Sequence, residues 1–409
     1  MERIWRTNNM LLYILLLSIT LFSIALQGMR PIISIYTHSL TGSPMIIGLV
    51  VGSYALFPML LAVFVGKWLD GIGAYRMSLI GGIGIFAAFI IPVLYPSLPA
   101  LFISQALNGF SQLCMLLSFQ KTVGNMPGDR DYLMMMLSLT GSLGDLIGPL
   151  LTGFTYEYWG FQRTAAFLSM FVFIAIALGL TAGKKGWKFG NAVGSRHQKL
   201  MEVLSSFHIL RHVTLRKAII AGGIVLYSKD LFVAYFPIYG LHLGLTPSFI
   251  GIIISAMALA SVFVRLIQVW LVRTYGRGLV LLSTLVLAGI VFVLIPFFDH
   301  VFVLLCLAVL LGFGLGLGQP ISMVYVMKIT PKEQQGQVLG LRLTFNRGAQ
   351  YFAPMLFGLI GSAGGILSIF WASGVLLLFS SWATKLPFRD DDTVTTQLTA
   401  EAINAKARK

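Results

Sequence analysis

The chain is 409 residues long, 57% hydrophobic and only 11% charged, with a mean hydropathy of +0.86. A soluble domain carries about a quarter charged residues, so these proportions exclude a soluble globular protein, and apolar runs of about 20 residues recur along the whole length, as bilayer-crossing helices require. The net charge of +15 follows from Lys and Arg gathering on the cytoplasmic loops of membrane proteins and does not point to nucleic acid.

Twelve spans are predicted, over 10–36, 45–66, 77–95, 98–120, 133–155, 163–183, 218–240, 247–271, 279–298, 302–327, 339–361 and 364–384. The first follows Met1–Arg6. It is too long for a signal peptide and no small-residue cleavage site follows it, so it reads as an uncleaved helix. The fifth span holds Gly141-Ser-Leu-Gly-Asp-Leu-Ile-Gly-Pro-Leu-Leu-Thr-Gly153. Gly141, Asp145 and Gly148 fall at i, i+4 and i+7 and so share a stripe. Glycines let a second helix approach and the proline bends the span. Asp145 at that depth needs a partner, a proton or water, since an isolated charge there is costly by several kcal/mol.

Connections are short except for 184–217, which divides the spans six and six. The expected organisation is an N-terminal six-helix bundle (1–183), a cytoplasmic basic linker (184–217), a C-terminal six-helix bundle (218–384) and a cytoplasmic polar tail (385–409) carrying Asp390–Asp392 and a basic end. The linker holds eight Lys and Arg residues, among them Lys184, Arg196 and Arg211, against Glu202. Arg3, Arg6, Lys67, Arg76, Arg273, Arg277, Lys328 and Lys332 lie at turns on the same side, whereas the turns at 38–44, 96–98, 242–247 and 361–365 have neither Lys nor Arg. This bias places both termini and the linker in the cytoplasm. The basic linker is also the segment expected to meet anionic membrane lipid.

An internal repeat supports the division. A displacement of 203 residues carries Pro44 onto Pro247, Gly48 onto Gly251, Tyr36 onto Tyr239, Gly73 onto Gly276 and Gly109-Phe110 onto Gly312-Phe313; one of 205 carries Pro149 onto Pro354 and Gly153 onto Gly358. Two six-helix halves in parallel register place a substrate site near the midplane between them.

Enzyme chemistry has no purchase here. Cys114 and Cys306 lie in apolar spans, the six histidines form no ligand-spaced pair, and no catalytic constellation, metal site or cofactor motif is present. Gly312-Phe-Gly-Leu-Gly-Leu-Gly318 lies mid-span with no strand before it, so it serves helix packing and not a nucleotide.

The turn after the second span reads Gly66-Lys-Trp-Leu-Asp-Gly-Ile-Gly-Ala-Tyr-Arg76. At Gly66, Leu69, Asp70, Gly73 and Arg76 it resembles the signature loop of the major facilitator superfamily. The glycines permit a tight turn, Asp70 can cap a helix and Arg76 can pair with a carboxylate. The resemblance implies an all-α fold of twelve transmembrane helices in two halves, with this loop latching one face of the two-domain contact. Arg273 replaces Asp70 in the second half. Gly144, Gly148-Pro149 and Gly153 resemble the fifth-helix motif of the drug and metabolite antiporter branch, with Thr152 where a second glycine is usual. In the fourth span Gly109 fits the family pattern, but Gln105 stands where an arginine is implicated in proton coupling. The resemblance therefore implies proton-coupled efflux in which other groups carry the proton. The competing reading is an uptake symporter or facilitator for an organic anion or sugar.

Polar groups inside the spans are the site candidates. Gln27, Arg30, Lys229, Gln319, Arg347 and Gln350 are expected to bind substrate, and Asp145 and Asp230 to take up protons, since desolvation favours the neutral carboxyl form. Gln27 and Asp230 stand at matched positions of the repeat. Arg342 is expected to snorkel toward the cytoplasmic surface and Arg265 to pack or snorkel. Gly66, Asp70, Gly73, Arg76, Gly148, Pro149 and Gly153 are the conformational residues. The mixed, basic-leaning set points to an amphipathic substrate bearing a carboxylate or zwitterion, such as a metabolite or siderophore-like compound, with protons as coupling ion and the monomer as working unit in the cell membrane.

Overall fold

The computed structural model describes residues 2–187, 213–330 and 335–384, and every long element among them is an α-helix. In chain order these are α1 (Glu2–Thr41), α2 (Pro44–Ile72), α3 (Ala74–Leu94), α4 (Leu98–Gly124), α5 (Arg130–Thr181), the short α6 (Gly183–Trp187), α7 (Val213–His242), α8 (Pro247–Leu266), α9 (Gln268–Tyr275), α10 (Arg277–Leu294), α11 (Val301–Ile329), α12 (Gln335–Gly364) and α13 (Ile366–Ala383). Among the described residues, ten helices are long and apolar enough to cross a membrane. One of them, α5, runs 52 residues but breaks at Gly160. α12, which carries Arg342 and Arg347, is not among the ten. The fold is all-α and multi-pass. Most of the linker expected over 184–217 and the tail from 385 fall outside the described residues.

The repeat is visible in backbone geometry. Gly73, between α2 and α3, has φ 83° and ψ 156°; Gly276, between α9 and α10, has φ 79° and ψ 155°. Gly160 (φ 70°, ψ −176°) is matched by Gly365 (φ 82°, ψ 168°), 205 residues on. These positive φ values exclude side chains bearing Cβ at little cost, so glycine is what the turns require. A Cβ on Gly109 would strike the carbonyl of Tyr54, and one on Gly312 the carbonyl of Met257, which are again 203 residues apart.

Two compact units result. One comprises Met1–His197 with Val233–Ser255 and Pro354–Ser362; the other comprises Gln198–Phe232, Ala256–Ala353 and Ala363–Lys409. The first has a core of Leu15, Phe22 and Met29 from α1, Phe89 from α3, Phe119 from α4 and Leu168 and Val172 from α5. Trp187 closes its basic end by donating to the Gly179 carbonyl (3.1 Å) and meeting Phe119 edge-on at 4.9 Å. In the second unit, Phe292 of α10 packs between Phe232 and Phe370, at 6.4 and 6.2 Å. Large apolar side chains such as Phe173, Leu266 and Trp382 point outward, which suits a surface solvated by lipid.

The first unit also owes its composition to four Pro-x-x-x-Gly segments. Pro44–Gly48 of α2 crosses Pro354–Gly358 of α12, and Pro247–Gly251 of α8 crosses Pro149–Gly153 of α5. At each crossing a glycine of one helix lies against a proline carbonyl of the other, so that a Cβ on Gly153 would come within 2.6 Å of the Pro247 oxygen and one on Gly358 within 2.7 Å of that of Pro44. Helix ends are joined in the same matched way. Ser362 Oγ accepts from the Met45 amide (3.0 Å), and Glu157 Oε2 accepts from the Ser248 amide (3.1 Å), each meeting an amide in the first turn of a helix opened by proline. Tyr235 adds a bond at the first crossing by donating to Pro354 O (2.6 Å), with Pro44 O at 3.2 Å. All of this lies at the end of the helices whose turns lack Lys and Arg.

Candidate functional site

The Gly141–Gly153 stretch is a packing seam, but with a different set of residues from the expected stripe. Gly141 has nothing within 4 Å of a Cβ position. Gly144 lies against Ser23 of α1, and Gly148 against Ile24 and Gly28. Thr152, in place of the usual glycine, uses its hydroxyl: Oγ1 donates toward Gly28 O across the seam, and Gly148 O of its own helix is equally near, both at 3.0 Å. Gly153 faces the other way, onto α8. The register is offset because α1 crosses α5 along the 144–148–152 row, an i+4 ridge.

Between the two helices the close approach brings Gln27 onto Asp145, the carboxamide Nε2 donating to Oδ1. Arg30, one turn beyond Gln27, lies over the ring of Tyr54, 5.5 Å from its centroid. Three of the expected site residues therefore occupy one region of the first unit.

The second unit gathers another set. Gln350 of α12 is buried; its Nε2 donates to Asp230 of α7, while its Oε1 accepts from Arg347 Nη1 at 3.0 Å. Lys229 adjoins Asp230 in sequence and is half-buried. Arg342 does not reach for the surface. Its Nη2 donates to the side-chain oxygen of Gln319 (2.7 Å) and to the Gln319 carbonyl (3.2 Å), and Gln319 Nε2 donates to Gly222 O of α7. Pro320 follows Gln319 in α11 and has no amide to bond the carbonyl four residues back, which leaves Gly316 O free to accept from a side chain. Gln319, proposed from sequence as a substrate ligand, here ties α7, α11 and α12 together. Asn346, one turn beyond Arg342, is 6% exposed and its Oδ1 has no partner among the described residues. Arg265 is exposed and donates from Nε to that Gly316 O at 3.1 Å.

Replacing Gln319 by Leu should leave the Arg342 guanidinium with one fewer charged hydrogen bond in a half-buried position. A loss of about 2 kcal/mol is expected, read as a lower apparent melting temperature in detergent, with Gln105→Leu on α4 as a comparison.

The signature loop departs from its expected geometry. Gly66 to Ile72 continue α2 as helix, and only Gly73 makes the turn. Asp70 does not cap α3, whose N-cap is Gly73 with no side-chain bond; it forms an ion pair with Lys121 at the end of α4. Arg76 is exposed. Lys121 was missed because it lies 51 residues from Asp70 in sequence, and only its position in the last turn of α4 marked it.

With this geometry in hand, comparison decides the family. A profile described as Major Facilitator Superfamily matches residues 15–246 and 218–408. The chain belongs to the major facilitator superfamily. An uncharacterised MFS-type transporter of Bacillus subtilis (strain 168), YuxJ, is 26% identical over 238 residues, 57% of this chain and 60% of that relative. The chain thus aligns with less than two thirds of that protein's length. Among solved structures, a mutant of the nucleoside transporter NupG superposes with a TM-score of 0.76 at 15% identity, covering 92% of this chain and 99% of that one. A mutant of the peptide transporter POT gives 0.75 at 16%, covering 91% and 93%. A POT family transporter in complex with 5-aminolevulinic acid gives 0.73 at 14%, covering 91% and 94%. At these identities the structural likeness establishes the fold. Membership of this superfamily points to transport and not to catalysis.

Proposed function

We propose that this transporter couples proton movement to the efflux of a small amphipathic compound bearing a carboxylate or zwitterionic group, by alternating access of two six-helix halves (1–183 and 218–384) crossing the cell membrane twelve times in all, with both termini cytoplasmic. The observation that carries the reading is the Arg347–Gln350–Asp230 chain in one unit and the Gln27–Asp145 contact in the other. Carboxylates are retained deep in a membrane protein where they serve a substrate or proton path. Arg347 supplies a fork that matches a carboxylate, and Arg30 a second cation. The glycine-proline seam of α5 supports the antiporter branch. The POT family neighbour bound to 5-aminolevulinic acid, itself an amine with a carboxylate, favours substrates of that kind.

A second reading, uptake of an organic anion or sugar by symport or facilitation, is favoured by one residue. Gln105 is buried in α4 where the family pattern has an arginine implicated in proton coupling. Inverted and right-side-out vesicles separate the two by the direction of net movement. For substrate class, Arg30→Ala and Arg347→Ala should each abolish transport of a carboxylate-bearing compound and spare a lipophilic cationic dye. Loss of dye efflux with anion transport intact would refute the assignment.

A further inference from the structure

The two carboxylate–carboxamide contacts are the same contact with its ends exchanged. Gln27 of α1 corresponds to Asp230 of α7 at a displacement of 203, and Asp145 of α5 corresponds to Gln350 of α12 at 205. These are the displacements that relate the glycine turns and the Pro-x-x-x-Gly crossings. In the first unit the amide stands on the first helix of the repeat and the carboxylate on the fifth; in the second unit the carboxylate is on the first and the amide on the fifth.

The pairs differ in what else holds the amide. Gln27 makes its one side-chain hydrogen bond, among the described residues, to Asp145. Gln350 is held from both sides: its oxygen accepts from Arg347 and its nitrogen donates to Asp230. A carboxamide can serve either form of a carboxyl group. It donates from nitrogen to the ionised form and, turned over, accepts at oxygen from the protonated form. Turning Gln27 exchanges one hydrogen bond for another. Turning Gln350 would point its NH2 group at the Arg347 guanidinium, which has no acceptor.

We propose that Asp145, paired with a Gln27 amide able to turn over, is the group that takes up and releases the proton, and that Asp230 stays ionised because Arg347 fixes Gln350 as its donor. Gln27 and Arg347 are then positioning residues, each acting through an amide. This deepens the proton-coupled reading above and rests on it. The surroundings are consistent with separate roles. Of the helices packed on α5, α1 brings Arg30 and Tyr36, α4 brings Cys114 in its middle and Lys121 at its end, α3 brings Tyr75 and Arg76 at its end, and α8, which crosses at Pro149–Gly153, carries Arg265 eighteen residues beyond Pro247. Asp230 has Lys229 and Tyr227 on its own helix and Arg347 of α12 one amide away through Gln350, whereas Arg342 lies farther along α12, bonded to Gln319 near Gly222. Two cations, Lys229 and Arg347, thus stand by the carboxylate assigned a permanent charge.

The test is infrared difference spectroscopy of the purified full chain in lipid across an acid titration, following the carbonyl stretch of protonated carboxyl groups; no substrate is needed. Wild type should gain a band on acidification that is absent in Asp145→Asn, present in Asp230→Asn and restored in Asp145→Glu. Gln27→Leu removes the amide that answers both forms of Asp145, so the pH at which the band appears should change. The exchanged variant Gln27→Asp with Asp145→Gln keeps a pair at this position and should keep a band, which separates loss of the titrating group from loss of the fold. A band lost in Asp230→Asn and kept in Asp145→Asn would overturn the assignment while leaving proton coupling in place. A band unchanged in both, with proton-driven transport intact, would remove the proton-coupled reading at these pairs and the inference with it.

Discussion

Replacing Gln350 by Leu should destabilise the protein by about 3 kcal/mol, roughly twice the effect of Gln27→Leu. Gln350 supplies two hydrogen bonds to charged groups, one to Asp230 and one from Arg347, each contributing about 1.5–3 kcal/mol where the partner cannot be rehydrated. Leu fills a similar volume, so little of the loss comes from a cavity. The sum is discounted because Arg347 is only half-buried and recovers part of its bond from water. Gln27 supplies one bond from a half-buried position. Thermal unfolding in detergent orders the two variants, and equal, small shifts would mean that the Arg347–Gln350–Asp230 chain contributes nothing beyond packing.

Gly251→Val and Gly48→Val should each open the crossings at the Lys- and Arg-poor end. At both positions an added Cβ meets a proline carbonyl of the facing helix, Pro149 O for Gly251 and Pro354 O for Gly48, and backbone has nowhere to retreat. Overpacking of this kind is unfavourable by about 1–3 kcal/mol. Because the clash exists only when the helices are together, it falls on the closed arrangement, and a shift of one or two kcal/mol changes a two-state ratio by roughly 5–30-fold. The readout is labelling of an Ile32→Cys reporter by a membrane-impermeant maleimide, with Cys114 and Cys306 replaced by Ser. Ile32 is 1% exposed and stands where the repeat places Tyr235. Labelling should quicken in both valine variants and stay at the starting rate in Gly141→Val, whose Cβ meets nothing within 4 Å. Equal rates in all three would show that the crossings do not gate access.

Glycines and prolines made the repeat legible, because a close crossing or a positive-φ turn admits few alternatives. Gly73 and Gly276, and Pro149 and Pro354, therefore survive as matched letters. The bonds that accompany them are harder to see. Glu157 and Ser362 do the same work at matched positions, yet share only an oxygen acceptor, so the match shows only when both are found on helix-opening amides. The polar residues were visible as a set because each interrupts an apolar run. Their pairing was not, since both lipid and protein core favour apolar side chains and periodicity cannot fix the rotation of a membrane helix. That is why Arg342 read as a snorkelling residue before its bonds to Gln319 were known, and why the α5 stripe was offset from the row that packs on α1. Lys121 lay in a charged helix end, where other Lys and Arg residues of the same side were equally available to Asp70.

The most direct measurement is transport in proteoliposomes driven by an imposed pH gradient alone, using a carboxylate-bearing compound that accumulates in cells lacking this protein. The account predicts movement against the compound's own gradient in wild type, collapse of that movement when a protonophore dissipates the pH difference, and only downhill exchange in Asp145→Asn. Uphill transport that ignores the pH difference, or that survives in Asp145→Asn at the wild-type rate, would contradict it.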